Sequence, residues 1–383
     1  MGYWDNIVNF HQRFYDDHPI VEEGFKAVKF LRTFFEKRGC ESLSRNHPLH
    51  NRLGVGAEPN YLWLEQFAKK IQKVSSLSKF DPIAQRLVYP ETFLAAFNEI
   101  EIGLKLYLEG LNVSFLNLDS EHTPDLILRL DNTLTRIEVS SLNPPDQETR
   151  FHRFLDMLIY FQMSREVVSG GYVNRIPSPN KLETIVNQVN EAINRAKETH
   201  KVEKVNSKGI VTIYVAPNDL VDQLPADCRG SFHFVGPPKP KPIENQIQQK
   251  IQKKSEQLFG ENESGILFLY TLMINRKEVF QLFKTDMDDI IAILASYPKL
   301  LGLVLTVPHY EIGVVSMSKP VTLKSEYKKN KILLESEAGQ YQSESIIIWK
   351  NLHANFDFPD KIINALKNYS SNLSNLEPLN LCD

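Results

Sequence analysis

Cysteine is scarce in this chain of 383 residues, and no long apolar run is present. The three cysteines, Cys40, Cys228 and Cys382, lie far apart, which excludes a disulfide framework and a zinc ribbon and fits a reducing cytoplasm. The longest largely apolar run, residues 266–274, is too short to span a bilayer, which needs about 20 residues. Residues 1–5 lack a basic start leading into an apolar stretch, so we expect no secretory signal and no membrane association.

Several motifs of nucleotide and ester chemistry are also missing. The chain has no Gly-rich phosphate loop, no Rossmann fingerprint and no Gly-x-Ser-x-Gly elbow, which argues against a nucleotide-driven motor and against a serine hydrolase. The net charge of -3 neither supports nor excludes nucleic acid as a partner. Any surface that binds phosphates therefore has to be a local basic one.

Two lysine-rich regions are candidates for such a surface. Residues 197–208 mix four lysines with two glutamates, whereas residues 239–254 contain little compensating acid. The second region predicts phosphate contacts from Lys250, Lys253 and Lys254. The alternative is a solvated basic face, which is what charge runs usually form.

The first 90 residues have the apolar spacing of helices. Apolar side chains recur at intervals of three and four; they include Phe25, Val28, Leu31 and Phe35, then Leu64, Phe67, Ile71 and Val74. His47 and His50 are better interpreted as loop residues than as a metal pair, because no carboxylate or thiol follows at a suitable spacing. This part is predicted to be an N-terminal helical region.

The pattern after residue 91 is mixed. Residues 144–180 are expected to be helical and then loop-like, and an amphipathic helix with Gln188 is expected over 182–196. The close prolines of 237–242 predict an exposed linker. Strands are predicted at about 209–216, 265–272, 301–307 and 345–349. Helices are predicted between and after them, at about 244–259, 286–296 and 359–369. Such alternation indicates an α/β layered architecture.

The chemistry is concentrated between residues 91 and 142. A helix is predicted from Pro90 to Gly110, which suits a helix end. Glu101 has Lys105 four residues on and predicts a solvated ion pair. Glu99 has small neighbours that let its face approach another layer, so it is predicted to point inward, where a metal ion or a basic partner would relieve its burial.

Two strand-like runs follow, joined by Asp131 and Asn132, a pair typical of a tight hairpin. If those two residues form the loop, Asp125 lies opposite Glu138, with β-carbons about 5 Å apart. Two carboxylates so placed repel one another, and a divalent cation would turn that repulsion into a binding site. Glu99 from the packed helix could add a third ligand.

The ordered set of helix Glu99, strand, Pro124-Asp125 hairpin and Glu138-Val139-Ser140 resembles the catalytic core of the PD-(D/E)xK, or restriction-endonuclease-like, nucleases over about 50 residues. The resemblance implies that Asp125 and Glu138 hold Mg²⁺ or Mn²⁺, that Glu99 completes or supports the site, and that water is the nucleophile. It also implies a mixed sheet flanked by helices.

One departure from the family pattern concerns Ser140, which stands where the motif lysine belongs. That lysine orients or deprotonates the attacking water and steadies developing charge. Three explanations compete. Another residue fills the role, such as Arg136 on the same predicted face or a lysine from elsewhere in the chain; the metal alone suffices; or catalysis is lost and only binding is kept.

Plainer interpretations stand beside each of these. Asp125 and Glu138 could be exposed acids of a solvated hairpin, and Glu99 a surface or ion-paired residue. Ser140 is more simply a strand serine than a nucleophile. His122 is more simply a turn residue than a phosphate contact, and Gln188 a solvent-facing helix residue than a site residue.

These observations together predict an α/β protein with three parts: an N-terminal helical region (1–90), a restriction-endonuclease-like core with insertions (91–370) and a C-terminal tail (371–383). We expect a cytoplasmic, divalent-metal-dependent endonuclease that hydrolyses phosphodiester bonds, with DNA the first substrate to test and a role in bacterial defence or mobile-element biology. The alternative is a catalytically inactive relative that binds nucleic acid or a protein partner. The sequence does not specify DNA against RNA, a recognition sequence or a homodimer.

Overall fold

A computed structural model describes most of the chain. The described residues are 2–13, 19–44, 47–54, 58–116, 124–130, 133–142, 167–229, 234–235, 243–255, 263–271, 274, 276–285, 288–309, 323–335, 343–373 and 376–379. His122, the Asp131-Asn132 pair, the proline-rich stretch 237–242 and Cys382 lie outside them. None of the described helices is long and apolar enough to cross a membrane.

The predicted N-terminal helices are present. They are α1 (Tyr3–Gln12), α2 (Pro19–Glu36), α3 (Pro48–Leu53), α4 (Glu58–Val74) and α5 (Phe80–Arg86). Their apolar faces pack together closely; a β-carbon at Gly24 of α2 would lie 2.3 Å from the Tyr61 side chain of α4, so only glycine fits there. A single hydrophobic cluster runs from Trp4 and Phe67 to Leu126 and Ile346 in the sheet, so these helices share a core with the residues that follow.

Helix α6 (Pro90–Leu108) matches the predicted helix. It begins at a proline, whose fixed φ suits the first helical position, and is followed by Gly110 at φ +78°, a conformation that favours glycine. A β-carbon at Gly103 would approach the side chains of Phe115 and Leu126 to 3.0 and 3.1 Å. The predicted close approach of this helix to another layer is therefore confirmed.

The main sheet has eight strands in the order β1-β2-β3-β8-β9-β12-β11-β10. The strands are β1 (Asn112–Phe115), β2 (Leu126–Leu130), β3 (Thr133–Ser141), β8 (Ser264–Tyr270), β9 (Leu300–His309), β10 (Lys324–Lys328), β11 (Lys331–Glu335) and β12 (Ser343–Lys350). β3, β8 and β9 are parallel, and the remaining pairs are antiparallel. The sheet is therefore mixed, as expected.

Helices cover both faces of the main sheet. One face packs on α6, on the N-terminal helices and on α11 (Asp360–Leu373). The other face carries a second apolar cluster with α8 (Ile243–Ser255), α9 (Arg276–Lys284) and α10 (Asp288–Ala295). The α/β architecture with a mixed sheet between helices is thus established.

A second sheet lies between β3 and β8 in the chain. Its strand order is β5-β6-β4-β7, with β4 (Val167–Val173), β5 (Glu203–Ser207), β6 (Val211–Pro217) and β7 (Phe234–Val235). Helix α7 (Pro179–Thr199) packs on it through a separate apolar cluster.

The prediction of helix and loop over 144–180 was wrong at 167–173, which form strand β4, whereas 174–178 lie outside any helix or strand as the loop prediction requires. Gly170 and Gly171 belong to that strand. A β-carbon at Gly170 would lie 2.4 Å from the Cys228 carbonyl oxygen, and a β-carbon at Gly171 would lie 2.0 Å from the Thr212 carbonyl oxygen. Glycine here permits close backbone approach within a sheet rather than marking a loop.

Candidate active site

The β2-β3 hairpin has the predicted register. Leu126 pairs with Ile137 and Leu130 with Thr133, so two residues lie between the paired strands, as the sequence predicts. The paired residues end at Leu126, and the Asp125 amide just before β2 donates to the Ile137 carbonyl oxygen at 3.1 Å, one residue out of that register. Asp125 and Glu138 nevertheless lie close enough for the Glu138 charge to raise the pKa of Asp125, so the two carboxylates are neighbours, as the sequence predicts.

Asp125 is buried, with 6% of its surface exposed. Its Oδ2 accepts a hydrogen bond of 2.7 Å from the Val139 amide, which fixes the carboxylate over β3. Burial raises the pKa of this carboxyl well above its usual range, and the charges of Glu99 and Glu138 raise it further. The neighbouring acids thus make ionised Asp125 costly in the folded chain.

Glu99 points inward from α6 with 1% exposure, as predicted. Its Oε2 accepts a hydrogen bond of 2.7 Å from Nη1 of Arg86, the last residue of α5. Burial raises the pKa of Glu99, the Glu138 charge adds to the rise, and the Arg86 charge opposes it. A basic partner therefore relieves part of the burial cost, one of the two possibilities that the sequence raises.

Glu101 differs from its prediction. Instead of a solvated pair with Lys105, it forms an ion pair with the buried Lys70 of α4 and accepts a hydrogen bond of 2.6 Å from Tyr369 of α11. Lys105 pairs with Glu344 at 2.6 Å. Both partners of Glu101 come from segments distant in sequence that pack on α6. The four-residue spacing between Glu101 and Lys105 therefore could not predict them.

Glu138 and Ser140 alternate with Val139 along β3 and so project on the same side of the sheet. Lys254 of α8 reaches Glu138, with 2.6 Å between Nζ and Oε1. Lys250 donates from its Nζ to Ser140 Oγ at 3.3 Å. Residues four apart on a helix are separated by about 6 Å along its axis, which is close to the spacing of alternate residues on a strand. Lys250 and Lys254 of α8 can therefore each contact one residue of β3, Ser140 and Glu138 respectively.

The environment of these groups is unusual for surface residues. Glu138 is 4% exposed; burial raises its pKa, and Lys254 and Lys250 oppose the rise. Burial lowers the pKa of Lys250, and the charges of Lys254 and Lys253 lower it further. A lysine with a lowered pKa exchanges its proton more readily at neutral pH than an exposed one.

Of the three lysines predicted to contact phosphate, the structure brings two to the carboxylates. Lys250 and Lys254 are partly buried there, whereas Lys253 is exposed beside them. The sequence contained a signal for this placement. Ile243, Ile247, Ile251 and Ser255 form the buried row of α8, and Lys250 and Lys254 form the row beside it. Arg86, in contrast, has no local signal in the sequence.

Other candidates lie elsewhere. Arg136 forms an ion pair with Glu263, so its guanidinium is already matched. Gln188 is exposed on α7, which packs on the second sheet, and it lies outside the site. His47 is a buried core residue whose Nε2 bonds the Leu87 carbonyl oxygen at 2.9 Å. Burial lowers its pKa to about 4.

The carboxylate cluster, meaning Glu99, Asp125 and Glu138, has the donor chemistry of a divalent-cation site. One oxygen of each group is engaged, by Arg86, the Val139 amide and Lys254 respectively. Within the described ranges, the second oxygen of each accepts no hydrogen bond. Such oxygens fit Mg²⁺ or Mn²⁺. Among those same residues, however, no three His, Cys, Asp or Glu side chains are already arranged as a metal site.

No protein-family model matches the chain, and no curated protein sequence matches it. What the site can do therefore has to be argued from its own residues: three buried carboxylates whose pKa values are raised, facing one arginine and two lysines.

Proposed function

We propose that this chain is a divalent-metal-dependent nuclease whose catalytic lysine comes from helix α8 rather than from strand β3. The observation that supports this most directly is the contact of Lys250 and Lys254 with Ser140 and Glu138. More than a hundred residues separate the partners in the chain. The fold nevertheless supplies positive charge at the position where the resemblance to PD-(D/E)xK nucleases lacks it.

Among the explanations for the missing lysine, migration has the best support. Lys250 Nζ lies 3.3 Å from Ser140 Oγ, at the tip of the side chain that replaces the motif lysine. Arg136 is a weaker substitute because it is paired with Glu263. Metal action alone would leave two partly buried lysines at the carboxylates unexplained, since an unneeded buried charge costs stability.

Phosphodiester hydrolysis adds water across a P–O bond. The water oxygen bonds to phosphorus, the ester oxygen leaves, and one proton moves from water towards the leaving group. Lys250 can take the water proton on a neutral Nζ, or steady developing negative charge as the ammonium. Lys254 fixes Glu138, and the Val139 amide fixes Asp125. A bound Mg²⁺ or Mn²⁺ would neutralise phosphate charge and acidify water.

The test is cleavage of plasmid and single-stranded DNA, and of RNA, with Mg²⁺ or Mn²⁺. We expect the wild type to cut, and we expect Asp125→Ala and Glu138→Ala to lose cutting while remaining folded. Asp219→Ala is the matched control, because this carboxylate is 64% exposed and pairs only with His200 among the described residues. Cutting that survives in both site variants, or a folded wild type that cuts no substrate, would contradict the proposal.

A second candidate function is nucleic-acid or protein binding without catalysis. Its support is that Arg86 and Lys254 already occupy one oxygen each of Glu99 and Glu138. To that extent two of the three carboxylates are neutralised without a metal. This alternative predicts nucleic-acid binding that is insensitive to Mg²⁺ and no rise in melting temperature when Mg²⁺ is added, whereas a metal that binds the folded state stabilises it.

A further inference from the structure

Arg86 belongs to the N-terminal helices, yet it reaches the carboxylate cluster. It is the last residue of α5, a helix anchored by the buried side chains Phe80, Ile83 and Ala84. The Thr92 hydroxyl of α6 donates to the Arg86 carbonyl oxygen at 2.6 Å. These contacts fix where the Arg86 side chain starts and direct it along α6 towards Glu99.

Only part of the Arg86 guanidinium is used. Nη1 bonds Glu99 Oε2 at 2.7 Å, and within the described part of the chain Nε and Nη2 donate to no other group. The Arg86 side chain is 21% exposed, whereas the Glu99 side chain is 2% exposed. The guanidinium therefore lies between a buried carboxylate and solvent, with hydrogen-bond donors left over on its open side.

We infer that Arg86 is a substrate-binding residue that contacts a phosphate of nucleic acid through the guanidinium donors that Glu99 leaves free. The inference rests on the proposed function. A guanidinium carries five donors in a planar fork and stays charged at every physiological pH, so it can hold a carboxylate on one edge and a phosphate on another. The N-terminal helices would then form one wall of the active site.

A plainer role has to be separated from this one. Arg86 could serve only as the counter-ion of Glu99, which would make it matter solely while Glu99 is charged. Glu99→Gln removes that charge and keeps the size of the side chain. In this background Arg86 has lost its hydrogen-bonded counter-ion and acts only through the longer-range charge of Asp125, whereas a phosphate contact still contributes to the binding of nucleic acid.

The experiment compares full-length Glu99→Gln with the double variant Glu99→Gln/Arg86→Gln. Binding of a fluorescein-labelled DNA strand, alone and annealed to its complement, is followed by fluorescence anisotropy with EDTA and over a range of salt concentrations. We expect weaker binding by the double variant and a slope of log K against log salt that is smaller by about one. Arg86→Lys in the same background should keep the slope, since the charge stays.

Arg32→Gln in the Glu99→Gln background is the matched control. This arginine pairs with Asp5 and Glu36 on the surface of α2, and its removal should leave affinity and slope unchanged. Equal affinity and slope for Glu99→Gln with and without Arg86 would overturn the inference alone. A wild type that binds neither form of DNA and cuts no nucleic acid would overturn the proposed function together with the inference.

Discussion

Helix α6 carries two glutamates only two residues apart, the buried Glu99 and the half-buried Glu101, and their surroundings differ sharply. Burial alone would raise the pKa of both. At Glu101, Lys70 and Lys105 outweigh burial, and with the Tyr369 hydroxyl they lower the pKa. At Glu99, burial and the Glu138 charge outweigh the opposing charges of Arg86 and Lys254, and the pKa stays raised. The cost of burying the charge is therefore fully compensated at Glu101 but not at Glu99.

The contrast separates a structural use of buried charge from a functional one. The Glu101 side joins α4, α6 and α11 through partners that satisfy the carboxylate completely, so it adds specificity to the packing. The Glu99 side gathers three acids whose ionisation the fold opposes, and that arrangement is typical of sites that need a cation or a substrate to complete them. The charges around each carboxylate distinguish the two.

The largest expected effect on the free energy of unfolding is at Glu101. Glu101→Gln leaves Lys70, which is 6% exposed, charged and without its carboxylate. Breaking a buried pair in this way costs about 3–5 kcal/mol in the free energy of unfolding. Urea unfolding followed by circular dichroism measures it. Glu99→Gln is the matched substitution on the other side, and it should cost much less; equal losses would remove the contrast.

A smaller effect of opposite sign is expected within the carboxylate cluster. Asp125→Asn removes one of the repelling charges and keeps an oxygen that can accept the Val139 amide. We expect a gain of about 0.5–2 kcal/mol in the free energy of unfolding, as is common when a functional residue is neutralised. Cleavage should be lost in the same variant. A clear loss of stability would indicate that the ionised carboxylate is structural.

The smallest effect concerns how that gain depends on pH. Because the folded pKa of Asp125 lies above its unfolded value, the folded chain binds this proton more readily. The stabilising contribution of protonated Asp125 is fully present below the unfolded pKa and is lost as pH rises through the folded pKa. The advantage of Asp125→Asn should therefore shrink as pH falls into that window. Melting temperatures of both proteins across pH check this; an advantage that grows in acid would reverse the sign.

Local features of the fold could be predicted from the sequence. Pro90 and Gly110 set the limits of α6, and the short spacing between β2 and β3 set the register that brings Asp125 close to Glu138. Each depends on residues within a few positions of one another. The same locality explains the failure at Glu101, whose partners Lys70 and Tyr369 come from 31 and 268 residues away.

The lysines of α8 show the limit of such reasoning most clearly. The sequence predicts a basic helix, and Lys250 and Lys254 are predicted there as phosphate contacts only. No rule of spacing connects them with Glu138, which lies 116 residues from Lys254 in the chain. The link arises when β8 pairs in parallel with β3 and α8 packs beside them. Strand β4 was missed for a similar reason, since its paired glycines suggest a loop until β6 and Cys228 are seen to press against them.

We propose that Lys250 replaces the lysine missing at position 140, and moving the positive charge back to that position tests this replacement most directly. The measurement is the rate of metal-dependent DNA cleavage by wild type, Lys250→Gln and the double variant Lys250→Gln/Ser140→Lys. We predict that Lys250→Gln lowers the rate by about 10²–10⁴-fold, the usual contribution of a general acid–base group, and that Ser140→Lys restores much of it. A Lys250→Gln protein that cuts as fast as wild type would contradict the account.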